Sequence, residues 1–155
     1  MSREEVFNAA AGMMMMYGNF LKEVAEEIGM ERTVALHKRH GESTGAMIVN
    51  ELQKLEGFNT EALGAIMDQM YRPMGIINIE FEAAPDSLVV KNGMCPIYTG
   101  WKIAGLDDET IDKLCINREG AVNAAISEAF PEVTARHTRR TKPEGYCTIV
   151  YNVEK

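Results

Sequence analysis

At 155 residues, 46% hydrophobic and 25% charged, the chain has the balance of a globular domain, and at this size such a domain buries roughly 70% of its unfolded surface. A net charge of -7 excludes a broad nucleic-acid-binding face, which must be basic. No apolar run approaches the roughly 20 residues that cross a membrane, and the start Met1-Ser2-Arg3-Glu4-Glu5 is acidic where a secretion signal is basic, so a cytoplasmic location is expected.

Ser2 is a good N-cap, and Glu4 and Glu5 complement the dipole of a first helix predicted from Arg3 to about Ile28, with Gly29 as its C-cap. Inside it, Met13-Met14-Met15-Met16-Tyr17 covers every side of the helix, so this stretch is read as core plus a contact with a second copy, and a homodimer is expected. Gly12 and Gly18 flank it and mark a bend or a close helix approach. A second helix is predicted from Glu31 to about Leu55, with Gly41 and Gly45 as points where it bends or splits. Thr60 caps a third, running to about Tyr71, with Leu63, Ile66, Met67 and Met70 on one face.

From Ile76 the apolar period changes to two. Ile77, Ile79, Phe81 and Ala83 alternate with Asn78, Glu80 and Glu82, as in a half-buried strand. Pro85-Asp86-Ser87 is a turn, and Leu88 to Lys91 is the returning strand of an antiparallel hairpin. The corner Gly93-Met94-Cys95-Pro96 follows, with Cys95 held extended by the proline after it. Asp107 or Asp108 caps a short helix reaching Cys115, and Asn117 caps another from Arg118 to about Phe130. Val133 to Arg140 and Tyr146 to Val153 form a second hairpin. The expected fold is α+β: one domain over residues 1–155, in which a helical half (1–72) packs on an antiparallel sheet of two hairpins with helices inserted between them (73–155).

If the last hairpin closes symmetrically, His137 pairs with Ile149 and Arg139 with Cys147, and alternation turns His137 and Cys147 inward. Cys95, Cys115 and Cys147 are too widely spaced for a compact metal finger, and burial as small apolar residues is the commoner fate of such thiols. Cys95 is the best candidate nucleophile, because its corner precedes a helix start that would lower a thiol pKa; His137 is the candidate general base. Tyr98, Trp101 and Tyr17 are candidate pocket walls, and Met15 and Arg139 complete the candidate ligand contacts. His37, His40 and Glu42 form a local cluster whose neighbours Lys38 and Arg39 disfavour a metal, so it is read as a solvent-facing polar stripe. Arg136, His137, Arg139, Arg140 and Lys142 are read as a solvated strand edge.

The order Cys95-Pro96, then Cys115 before a polar helix start, then Cys147-Thr148-Ile149-Val150-Tyr151 as a closing strand resembles the L-2-amino-thiazoline-4-carboxylic acid hydrolase family. More distantly it resembles the 4-vinyl reductase domain of bacteriochlorophyll synthesis and of aromatic-sensing regulators. The first resemblance implies a hydrolase that opens a C–N bond in a thiazoline or cyclic amide, with Cys95, Cys115 and Cys147 as the positions carried over. The second implies a non-catalytic small-molecule-binding or sensor domain, in which cysteines and a glutamate (here Glu109 or Glu119) hold a structural zinc.

Overall fold

A computed structural model describes residues 2–55, 57–138 and 147–154, with the side chains of residues 77 and 78 left aside. Five helices and four strands lie among the described residues: α1 (Arg3–Ile28), α2 (Met30–Leu52), α3 (Thr60–Tyr71), β1 (Ile77–Ala84), β2 (Ser87–Met94), α4 (Pro96–Ile103), α5 (Asp108–Ala129), β3 (Val133–Thr138) and β4 (Cys147–Val153). The α+β expectation is met: the strands form one antiparallel sheet in the order β1-β2-β4-β3, so the two hairpins join through their inner strands.

Local chemistry sets most of the boundaries. Ser2 and Glu5 form a reciprocal capping box at the start of α1. Gly29, at φ 85°, is the single residue between α1 and α2, and that left-handed φ suits a residue without Cβ. Asn59, not Thr60, caps α3 by accepting from Ala62 N; Thr60 Oγ1 instead donates to Ala84 O at 2.7 Å, tying the helix to the end of β1.

Two expectations are corrected, and one unassigned stretch gains a helix. Gly41 and Gly45 do not split α2, which runs unbroken past them. Asp108–Ala129 is one helix: Asp107 caps it, and Asn117 turns its side chain back to donate to Lys113 O at 2.8 Å instead of starting a new one. The stretch after the Cys-Pro corner is α4, with Cys95 as N-cap and Pro96 in the first turn, where a missing N–H costs nothing.

The glycines are contact points. A Cβ on Gly41 would lie 2.2 Å from Arg118 O, and one on Gly45 2.7 Å from Ala125 Cβ, so α2 and α5 pack backbone to backbone. Likewise a Cβ on Gly100 would lie 2.4 Å from Ala11 O and one on Gly18 2.9 Å from Ala104 Cβ, which sets α4 against α1. Two apolar cores result. One lies between the sheet and α2, α3 and α5, around Leu52, Leu63, Met67, Leu88, Val90 and Ile149. The other is built around Trp101 with Leu21, Leu106, Ile111 and Leu114. The outer sheet face is polar, with Lys91 bridging Glu82 at 2.6 Å.

The methionine run divides between core and surface. Met14 and Met15 pack against the second core, while Met13 and Met16 are 66% and 69% exposed. Among the described residues no helix is long and apolar enough to cross a membrane.

Candidate functional site

A cavity of about 120 Å³ opens where α1, α2, α4 and α5 meet beside the second core. Each helix supplies residues one turn apart, and therefore on one face: Met14 and Tyr17 from α1, His37 and His40 from α2, Ile97 and Trp101 from α4, Cys115, Arg118 and Glu119 from α5. Met74, just past α3, closes the wall. The glycine contacts bring these faces together: Gly41 lies one turn beyond His37 and abuts the backbone of Arg118.

His37 is only 5% exposed. Its ring lies edge-on to Trp101, with centroids 5.6 Å apart, and Nδ1 lies 3.1 Å from Tyr17 Oη. Burial, then the charges of Arg118 and His40, lower its pKa to about 4, so the imidazole is neutral at neutral pH. Burial also raises the Tyr17 pKa and keeps the phenol protonated. Tyr17 Oη and His37 Nδ1 share one hydrogen bond, and the tautomer that makes it decides whether Nε2 is a donor or an acceptor. Arg118 donates to Glu119 within the largely buried wall. The field of Glu119 reaches the sheet: after burial itself, it is the next cause raising the pKa values of Tyr71 and Tyr151. Tyr151 Oη donates to Asn123 Oδ1 at 2.8 Å. A polar seam thus runs between the two apolar cores.

Three buried polar atoms on the residues lining this cavity have no hydrogen-bond partner among the described residues: His37 Nε2, Trp101 Nε1 and Glu119 Oε2. Buried polar groups are nearly always satisfied, and each exception costs about 1–3 kcal/mol. The other such atoms among the described residues, on Asp68, Asn92 and His137, lie on separate elements outside this lining, so this cavity is where three of them belong to one set of lining residues.

Of the residues singled out in the sequence, Trp101, Tyr17 and Cys115 line this cavity. Met15 belongs to the second core, and its neighbour Met14 lines the wall in its place. Tyr98 is half-buried and donates to Asp108 Oδ1 at 3.0 Å, outside the lining. Arg139 and its expected pairing with Cys147 lie outside the described residues. His137 does pair with Ile149 as expected, and half-buries over α5 in an open groove with Asn123 and Ser127.

The same register separates His137 from Cys95. Ile149 pairs on its other side with Val90, five residues before Cys95; two strand spacings across and five residues along give about 19 Å. The pairing of Cys95 as nucleophile with His137 as base is therefore not assembled. For the three-cysteine zinc set, among the described residues no group of three His, Cys, Asp or Glu side chains is placed to hold a metal ion. Cys95 caps α4, Cys115 lines the cavity, and Cys147 pairs with Asn92 in the sheet.

Sequence reasoning missed His37, which is buried where a solvent-facing stripe was expected, and Arg118. Glu119 entered only as a candidate zinc-holding glutamate. A signal for the α5 wall was present: Cys115, Arg118 and Glu119 stand at i, i+3 and i+4, and share a face once Asn117 is not taken as a helix start. No known protein family and no curated protein matches the chain, so the site rests on its own geometry.

Proposed function

We infer that the chain is a small-molecule-binding domain whose ligand sits in the cavity between α1, α2, α4 and α5. One observation carries this reading: three otherwise unsatisfied buried polar atoms belong to residues that line a single, largely apolar cavity. Ligand sites have this character, with apolar walls fixing shape and a few polar groups fixing orientation. Trp101 is the only tryptophan and lines the cavity, so its fluorescence reports on the site directly. Screening small-ring fragments against that signal is expected to yield saturable binders. Cys115→Leu, which fills part of the space, is expected to weaken them while leaving the far-ultraviolet circular dichroism unchanged. Binding that is indifferent to this substitution would move the ligand elsewhere.

A second reading is a ring-opening hydrolase at the same cavity. Supporting it, Cys115, His37 and Glu119 share the lining, and the cysteine order carries the hydrolase resemblance. For a cyclic amide, the oxygen of water would bond to the carbonyl carbon and the C–N bond would break. One water proton, carried by Glu119 Oε2, would end on the departing nitrogen, leaving an amine and a carboxylic acid. Incubating the protein with a bound lactam and following the amino acid by proton NMR tests this; an unchanged lactam after many hours removes the enzyme reading and leaves the binding one.

A further inference from the structure

The cavity walls constrain the charge and the polar edge of whatever fills them. Arg118 and Glu119 pair with each other, and Tyr17 and His37 are uncharged at neutral pH, so the enclosed walls carry no net charge. His40 is the remaining ionisable imidazole, at the exposed rim. A net charge brought into such a space loses its hydration without gaining a counter-charge. The unsatisfied atoms are complementary in kind. Trp101 Nε1 is an N–H donor in search of an acceptor, Glu119 Oε2 is an acceptor in search of a donor, and His37 Nε2 is one or the other according to its tautomer. The rest of the lining is Met14, Met74, Ile97 and Cys115, and the volume is about 120 Å³, close to that of an apolar cavity that admits one benzene-sized ring.

We propose that this cavity takes a neutral, single-ring molecule that carries both a hydrogen-bond acceptor and an N–H or O–H donor, as the edge of a lactam does. The acceptor faces Trp101 Nε1 and the donor faces Glu119 Oε2, while His37 Nε2 meets either one in the matching tautomer. This rests on the cavity being the ligand site.

The test follows the single indole N–H of Trp101 in 1H–15N spectra of the full chain. The probes are four molecules of similar size: δ-valerolactam, cyclohexanone, cyclohexane and pentanoate. δ-Valerolactam is expected to shift the indole resonance downfield and saturably. Cyclohexanone keeps the acceptor but lacks the donor, and is expected to bind about tenfold or more weakly, as befits a lost hydrogen bond to a charged group. Pentanoate is expected to bind more weakly still. Equal binding by cyclohexanone overturns the donor requirement, and tighter binding by pentanoate overturns the neutrality. Binding by cyclohexane as tight as by the lactam keeps the cavity as a ligand site but overturns the polar edge. If none of the four perturbs the indole at millimolar concentration, the cavity reading itself fails, and this proposal with it.

Discussion

The two cores are built from similar apolar residues yet differ in how completely they are finished. In the core against the sheet, Leu52, Leu63, Met67, Leu88, Val90 and Tyr151 have no measurable exposure. Its deepest hydroxyls are satisfied, Tyr151 by Asn123 and Thr60 by Ala84 O. The core around Trp101 is as well sheltered, but its edge holds a cavity and three polar atoms without partners. Close packing to crystal-like density is the default for interiors. Unpartnered buried atoms also occur on the sheet side, on Asp68, Asn92 and His137. What sets the helical core apart is that its three belong to residues lining one cavity, where the cost of about 1–3 kcal/mol per unsatisfied group falls beside a space of ligand size.

The largest expected effect comes from damaging the finished core. Leu63→Ala is expected to lower unfolding free energy by about 4 kcal/mol, read by urea denaturation, while δ-valerolactam binding at a permissive temperature stays the same. Loss of binding at full folding would mean that the two cores are not separable.

Acid should act on the other core. His37 has a lower pKa folded, about 4, than the ordinary 6.5, so the unfolded chain takes up the proton first. Its contribution is complete above pH 6.5, declines as pH falls from 6.5 to 4, and is lost below that. The full span is about 3 kcal/mol. Urea melts across this window are expected to show a slope that His37→Phe lacks; identical slopes in the two proteins would show that the imidazole is not buried as described.

A smaller effect is expected at the joint that builds the site. Gly41→Ala sets a methyl against Arg118 O, forcing α2 and α5 apart at a cost of about 2 kcal/mol, and should weaken ligand binding because Arg118 and Glu119 move with the backbone. A variant as stable as the parent, with intact binding, would refute the close approach. Least of all should come from the surface. Met16→Ser is expected to change stability by less than about 0.5 kcal/mol, in denaturant melts repeated over a range of protein concentrations. A larger, concentration-dependent loss would sharpen the comparison by adding a contact between copies along α1, which is how the methionine run first reads.

Much of the fold was legible in the sequence because caps and periodicity act locally. Ser2, Gly29 and the alternation from Ile77 fix α1 and β1 without reference to the rest of the chain. Errors fell where a residue has two uses. Asn117 is a good cap and also a good i-4 back-bonder; Gly41 breaks helices and also lets them touch. The site was legible only in pieces, in Trp101, Tyr17 and Cys115. His37 stands in a charged stretch, between Leu36 and Lys38-Arg39-His40, and nothing in that local pattern reports that α1 and α5 cover it. Cys95 stands out by its corner ahead of a helix start and His137 by its inward place in the last hairpin; both features are local, and the order of strands across the sheet keeps the two apart.

The pairing of α1 with α4 and of α2 with α5 also bears on how the protein folds. Lys22 reaches Ala104 O across 82 residues, and both glycine joints link the N-terminal half of the chain to the C-terminal half. Contacts closing loops of that length gain nothing until the loop entropy has been met. The cavity walls therefore come together late, after the capped helices and the β1–β2 hairpin, which close locally. A ligand held by those walls has nothing to grip in the early ensemble, so it prolongs the lifetime of the folded chain and leaves the rate of reaching it unchanged.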